Sequence, residues 1–318
     1  MREKILDILK NARGYVSGEE MSRELGVSRA AVWKHIKKLR DEGYSIVSVT
    51  NKGYRLRSEP DNMSIEKIES MLKTKYIGRK ILHFTNTDST NNEIKRRCDM
   101  DEGTAVLAEM QLSGKGRLGR VWDSPRGTGV WISILLKPQI PLNEVSEITL
   151  VAGLAACRAI GEGARIKWPN DIVIGTKKVC GILTEMSAET DRVNYVVCGI
   201  GINVNNENFP AELSQKATSI YIETGIKQDR EAIASSLLNE FEIVYESYLK
   251  GGFPAIAQEY SSMCVTLGKT VRVIKNGSEI IGKAESIADD GALIVEYRGE
   301  RIKVSSGEVS VRGIYGYI

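Results

Sequence analysis

The segment GKGRLGRVWDSPRGTGVWISILL, residues 114–136, decides how this chain is to be read. Its first six residues, Gly114 to Gly119, match G-x-G-x-x-G, the glycine fingerprint of dinucleotide-binding folds. That fingerprint must open a helix so that a pyrophosphate can rest on the helix N-terminus. Here Pro125, Gly127 and Gly129 come next, and then the β-branched and aromatic run VWISILL, which reads as a strand. A Walker loop, GxxxxGK[ST], is also absent. What remains is a glycine-rich loop carrying Lys115, Arg117, Arg120 and Arg126 and leading into a strand. Exposed backbone amides among several cations suit a polyphosphate ligand.

Outward from this loop, β-rich runs at Ala105–Glu109, Val130–Leu136 and Tyr195–Ile202 alternate with helical patterns at Val145–Ile160 and Arg230–Tyr248. The centre of the chain is therefore a mixed α/β body. From Val265 onward the character changes to short alternating strands, VTLGKTVRVI, EIIGKAESI, GALIVEY and RIKVSS, broken at Asn276-Gly277, Asp290-Gly291 and Arg298-Gly299. Such spacing predicts a small β-barrel.

The N-terminus is different again. Ile5, Leu6, Ile8 and Leu9 mark a first helix ending near Gly14, and Ser17 with Glu20 forms a capping box for a short helix through Leu25. Gly26 supplies the turn. Ser28 opens a third helix in which Val32, Ile36 and Leu39 form the apolar stripe, leaving Arg29, Trp33, Lys34 and Lys37 on other faces. YSIVSVTNKGYRL then predicts a hairpin about Asn51, Lys52 and Gly53, so the module is a winged helix-turn-helix. Residues 1–57 hold 13 Lys and Arg against 7 Asp and Glu, whereas the remainder holds 31 against 34. A basic module on a slightly acidic body is the charge pattern of a tethered DNA-binding domain. Base edges are expected to meet the start of the third helix at Ser28, Arg29 and Ala30, with Trp33, Lys34 and Lys37 completing the DNA face. His35 reads as structural.

The expected fold class is α+β and multi-domain, with boundaries at 1–60, 64–264 and 265–318. SEPDNM, residues 58–63 with Pro60, reads as the linker before a helix capped by Ser64. No stretch approaches the roughly 18–20 apolar residues of a membrane span, and the charged opening MREKILDILK lacks a signal-peptide core. A cytoplasmic protein without membrane association is expected. The five cysteines are odd in number, widely spaced and without a CxxC pair, which argues against disulfides or a zinc site.

Two further motifs bear on chemistry. KWPND (Lys167–Asp171), with Lys178 seven residues on, places two lysines and an acid near one turn, which suits anions and a metal; alone it reads equally as a structural turn packed by Trp168 and Pro169. GIGINV (Gly199–Val204) ends a strand in glycines and an asparagine, and alone it reads as a close-packed strand end. Taken in order with Asp88-Ser-Thr-Asn91 and Gln111, the set DSTN, Q-x-x-G-x-G-R-x-G-R-x-W, KWPND, K-x-x-GI and GIGIN resembles the biotin protein ligases, specifically those that double as biotin operon repressors. The resemblance spans essentially the whole chain.

The resemblance implies a central domain of the biotin/lipoate ligase type that uses ATP and Mg2+. It implies a biotin pocket formed by Ser89, Thr90, Asn91, Gln111, Lys115, Gly116, Arg117, Trp131, Ser133, Lys178, Gly181 and Gly199. ATP is expected at Arg117, Arg120, Trp122, Lys167, Asn170, Asp171 and Asn203, the metal at Asp171, and the catalytic cations are Lys178, Arg117 and Lys115. Lys115 stands where many members carry arginine, and Trp131 replaces a tyrosine. The implied partners are a biotin carboxyl carrier protein, operator DNA and a second copy of the chain when biotinyl-5'-AMP is bound. Two alternatives share much of this pattern: a ligand-responsive transcription factor without efficient transfer, and a lipoate-type ligase. Retention of Lys178, Arg117 and Asp171 favours an active enzyme, and the ordered motifs favour biotin.

Overall fold

The computed structural model describes residues 1–41, 43–59, 61–190, 192–275, 278–306 and 310–313. The expected linker proline Pro60 and the Asn276-Gly277 turn lie outside the described residues. Two compact units are present, Met1–Asn62 and Met63–Ile318.

The first unit contains α1 (Arg2–Asn11), α2 (Gly18–Leu25), α3 (Arg29–Asp41), β1 (Ser45–Val49) and β2 (Gly53–Ser58). Ser17 accepts the Glu20 backbone N–H at 3.0 Å and so caps α2, and Gly26 at φ 64° ends it in the left-handed conformation that glycine adopts without strain. Ile5, Leu9, Met21, Val32, Ile36, Leu39 and Ile46 form its core. β1 and β2 pair antiparallel as the expected wing.

The second unit opens with α4 (Ile65–Met71), capped by Ser64. It continues through β3 (Ile81–Phe84), α5 (Thr90–Lys95), β4 (Ala105–Ala108), β5 (Gly129–Leu136), α6 (Ile148–Ile160), β6 (Ala164–Lys167), β7 (Asp171–Ile174), β8 (Lys177–Ala188) and β9 (Val193–Asn203). There follow α7 (Ile220–Thr224), α8 (Arg230–Gly251) and α9 (Pro254–Met263). The expected helix from Val145 begins differently. Leu142–Glu147 is a 3-10 turn behind Pro141, and the α-helix starts at Ile148. Over one turn the two helix types give the same apolar spacing, so the sequence signal runs through both.

Seven strands form one sheet in the order β3-β4-β5-β9-β8-β7-β6, with only β3–β4 parallel. Alternate residues point to opposite faces. On one face Val130, Ile132, Ile134, Val196, Cys198, Ile200 and Ile202 join α6 and α8 in the main hydrophobic cluster. Across the other, Ile94 of α5 packs with Val106, Leu135 and Val197, covering only part of the sheet. Further on, β10 (Thr270–Lys275), β11 (Ser278–Ile287), β12 (Leu293–Tyr297), β13 (Glu300–Val304) and β14 (Ser310–Gly313) make a five-stranded antiparallel sheet, ordered β13-β12-β11-β10-β14. Where a barrel was expected, the described pairings are those of this small sheet. Its Val271, Val273, Ala284, Leu293 and Val295 belong to the same hydrophobic cluster as the central sheet. Among the described residues no helix is long and apolar enough to cross a membrane.

Glu109, just after β4, is fully buried. Its carboxylate accepts the Met63 backbone N–H at 2.7 Å and Arg230 Nη1 at 3.0 Å, with His83 Nε2 at 2.9 Å. Burial by itself would raise its pKa; the His83 hydrogen bond and the Arg230 charge outweigh this and hold it below the usual glutamate value. A depressed carboxylate contributes stability above its unfolded-state pKa of roughly 4.3, and that stability is lost as pH falls through the folded-state value. Glu109→Gln should therefore lower the unfolding free energy by about 3 kcal/mol near neutral pH, because Arg230 is left buried beside a neutral group. Urea titrations of variant and wild type should show this gap narrowing below a pH of about 4. A gap independent of pH would rule out an ionised Glu109.

Candidate active site

Three glycines on the open face of the central sheet create the site. Gly181 pairs with Gly201, which pairs in turn with Trp131, and Gly199 lies between Leu183 and Ser133. A methyl at Gly199 would overlap the Asn91 amide, one at Gly201 the Trp122 indole, and one at Gly181 would come within 2.7 Å of Lys178 Nζ. The bare backbone thus forms the floor of a cleft of about 440 Å³, its solvent mouth included.

Polar groups converge at one end. Asp88 is clamped by Arg96 at 2.7 and 2.8 Å and by Asn92, and these contacts, Arg96 first, hold its carboxyl well below the usual range. This fixes the turn from which Ser89, Thr90 and Asn91 enter α5. All three line the cleft and are almost wholly buried. Gln111 accepts the Thr90 backbone N–H at 2.9 Å and donates to Ser124 at 2.8 Å, so both ends of its amide are oriented. Ser133, fully buried, lies behind them, 2.7 Å from the Thr90 hydroxyl and 2.6 Å from Asn91 Oδ1.

Cations gather at the other end. β8 carries a bulge against β7: Cys180 pairs with Ile172 and Lys178 with Val173, so Val179 is extra. A bulge redirects the side chains beyond it. Without it Lys178 would share the core face with Cys180. With it Lys178 reaches the cleft, forming an ion pair with Asp171 at 2.5 Å and lying 4.9 Å from the centre of the Trp122 ring. Lys167 is buried and pairs in register with Asp171. The glycine loop folds over this end as a small hairpin, in which Gly116 donates to the Arg120 carbonyl at 2.7 Å. Arg117 donates to Asn170 Oδ1 at 2.9 Å and to the Ser306 carbonyl at 2.6 Å, which ties the loop to the C-terminal sheet. Burial lowers its pKa, yet a guanidinium remains charged in proteins. Lys115 is exposed and donates to Asn92 at 2.8 Å.

Most of the expected pocket residues therefore share one cleft: Ser89, Thr90, Asn91, Gln111, Lys115, Gly116, Arg117, Trp122, Asn170, Lys178, Gly181 and Gly199. Others stand outside its lining. Trp131 is fully buried beneath Trp122, the ring centres 6.4 Å apart and edge-on, and its Nε1 donates to the Pro125 carbonyl at 3.3 Å. Ser133 and Asn203 are buried, the latter donating to the Thr218 carbonyl at 3.0 Å, and Arg120 is exposed. Leu183 and Gly201 line the cleft without having been foreseen, and Ile132, Ile182 and Ile200, which belong to the core cluster, border it as the strand positions in between. The period-two spacing of Gly181, Leu183 and Glu185 was the available signal for residues sharing this face.

In the first unit Ser28, Arg29, Ala30, Trp33, Lys34 and Lys37 are all exposed on or beside α3, while Val32, Ile36 and Leu39 face the core. Lys37 Nζ lies 5.8 Å from the centre of the Trp33 ring. His35 is half-buried.

Residues 1–55 match an HTH domain, residues 80–203 the Biotin/lipoate A/B protein ligase family, and residues 266–312 the Biotin protein ligase C terminal domain. The Bifunctional ligase/repressor BirA of Bacillus subtilis (strain 168) is 40% identical over 321 residues, covering 98% of each chain. That of Escherichia coli (strain K12) is 29% identical over 97% of this chain and 96% of its own. Among solved structures, the biotin protein ligase from Aquifex aeolicus in complex with biotin and ATP is 30% identical, covers 74% of this chain and 99% of its own, and superposes with a TM-score of 0.67.

The glycine floor generates a direct test. Gly199→Ala should destabilise the protein by roughly 1–3 kcal/mol through overpacking against Asn91. Thermal or urea unfolding would measure it, and unchanged stability would show that the floor has slack.

Proposed function

The chain belongs to the biotin protein ligase family, and from that premise we propose that it is an ATP-dependent biotin protein ligase that also represses biotin genes through its winged helix-turn-helix. The observation that carries this reading is the two-ended cleft, with oriented amide and hydroxyl groups at one end and Lys178 and Arg117 at the other. A ligand with a ureido head and a carboxylate tail matches both ends.

The chemistry follows from charge. The biotin carboxylate oxygen attacks the α-phosphorus of ATP, the new O–P bond forms, and pyrophosphate leaves to give biotinyl-5'-AMP. Two anions must approach each other for this to happen. Lys178 screens the carboxylate, and Arg117, already fixed by Asn170 and Ser306, meets the phosphate with little reorganisation. Mg2+ is ordinarily held by one or two carboxylates together with substrate phosphates, and Asp171 is the residue here that suits it. In the second step a lysine amine of a biotin carboxyl carrier protein attacks the acyl carbonyl and AMP departs. The glycine loop, closing over the adenylate, shields it from water until then. A cytoplasmic location, where ATP is available, is part of the same reading.

Lys178→Ala should lower biotin-dependent exchange of pyrophosphate into ATP by roughly 100-fold or more, the usual scale for losing one electrostatic stabiliser. Near wild-type exchange would remove Lys178 from the reaction, and absence of exchange in the wild type would remove the ligase reading itself.

Repression requires more than one recognition helix. A module of net charge +6, from 13 basic and 7 acidic residues, makes few phosphate contacts, and two copies would read a two-fold symmetric operator. We infer that biotinyl-5'-AMP promotes a homodimer. By linkage, adenylate should then raise both self-association and operator affinity. Sedimentation and operator titration with and without biotinyl-5'-AMP measure the two together. Equal association in both states would leave a ligase whose DNA-binding module is not a biotin switch.

A further inference from the structure

Every residue of β5 is buried and the strand is otherwise apolar apart from Ser133. A buried hydroxyl costs stability unless it is hydrogen-bonded, so its partners carry information. Ser133 has one proton and two oxygen neighbours, Asn91 Oδ1 at 2.6 Å and Thr90 Oγ1 at 2.7 Å. Which neighbour takes that proton depends on the direction of the Asn91 amide.

That direction is set from outside the cleft. Glu185 lies on the same face of β8 as Gly181 and Leu183, and its Oε2 accepts Asn91 Nδ2 at 2.8 Å. The other Asn91 N–H reaches the Leu183 carbonyl at 3.3 Å. Lys95 donates to Glu185 Oε1 at 2.6 Å. Burial would raise the Glu185 pKa, but Lys95 and Asn91 outweigh it and keep the carboxylate ionised, hence able only to accept. With both Asn91 N–H groups committed, its Oδ1 must face Ser133 and can only accept. Ser133 therefore donates to Asn91, and its own oxygen is left to accept from Thr90. The Thr90 hydroxyl has two acceptors in reach, Ser133 Oγ at 2.7 Å and Gln111 Oε1 at 3.1 Å; with the Ser133 proton spent on Asn91, donation to the nearer Ser133 avoids two facing lone pairs, and Thr90 then presents its own lone pairs to the cleft. Gln111 Oε1, fixed by the Thr90 backbone N–H, presents another acceptor beside it.

We infer that Glu185 is a positioning residue that sets the acceptor polarity of this end of the cleft, acting through Asn91, Ser133 and Thr90, and so selects a head group bearing N–H donors. The inference rests on the biotin reading above and deepens it. A ureido ring offers two N–H donors in one plane, whereas a ligand without them leaves buried acceptors unpaired, which is the costly case.

The test compares biotin with a biotin methylated on a ureido nitrogen, in full-length wild type, Glu185→Ala and Glu185→Gln. In wild type, biotin should be strongly preferred. Glu185→Ala frees the Asn91 amide to turn over and the hydroxyl chain to reverse. The KM for biotin should rise about tenfold, the loss expected for one or two misdirected hydrogen bonds, and the preference over the methylated analogue should fall by a similar factor. The KM for ATP should stay within about twofold, because Lys178 and Arg117 are held by Asp171, Asn170 and the Ser306 carbonyl rather than through Glu185. Glu185→Gln retains an acceptor oxygen for Asn91, since Lys95 at the solvent edge can turn away, and should recover most of the preference. A Glu185→Ala variant with wild-type preference overturns the proposal, as does a Glu185→Gln variant as poor as Ala. If wild type used no biotin at all, the functional reading would fall instead, and the two failures are distinct.

Discussion

A β-sheet shows alternate side chains to opposite faces, and the central sheet here must use one face for a core and the other for a cleft. That division governs the rest of the structure. Val130, Ile132, Ile134, Ile200 and Ile202 take the core side against α6 and α8. Their sequence neighbours Trp131, Ser133, Gly199 and Gly201 fall on the other side, and the glycines remove the side chains that would fill it. A cleft can therefore lie directly on sheet backbone, and the residues around it are held by elements that the core side has already made rigid.

The two ends of this cleft are built by different physics. At the cationic end Lys178 and Arg117 are supported by Asp171, Asn170 and the Ser306 carbonyl, so the charges are held in place before any anion arrives. Preorganised charge of this kind costs little reorganisation during reaction. At the opposite end a run of hydrogen bonds links Glu185, Asn91, Ser133 and Thr90 beside the cleft. Fixed charge thus characterises one end of the cleft, and directed hydrogen bonding the other.

The winged unit follows simpler rules. A capped α2, a left-handed Gly26 and the stripe of Val32, Ile36 and Leu39 leave one face of α3 free, and that face carries Arg29, Trp33, Lys34 and Lys37. The Lys37 ammonium near the Trp33 ring keeps an exposed aromatic beside a positive charge.

Local chemistry was enough for much of this to be legible in the residue order. Ser17, Gly26 and Ser64 act within three or four residues of themselves, and the strand after Gly129 excluded a dinucleotide fold because its pattern is local too. Motif order likewise identified most of the residues that line the cleft. The remainder depended on pairing between distant strands. The extra residue Val179 against β7 decides that Lys178 faces the cleft rather than the core, and no pattern within β8 alone reveals it. Trp131 proved to be a buried support because Trp122, from a loop nine residues earlier, lies over Gly181 and Gly201. The link between Arg117 and Ser306 spans almost two hundred residues of chain. Sequence alone determined which chemical groups this protein has and which local elements carry them. Tertiary structure decided which of those groups meet, because strand register and loop closure depend on contacts far apart in the chain.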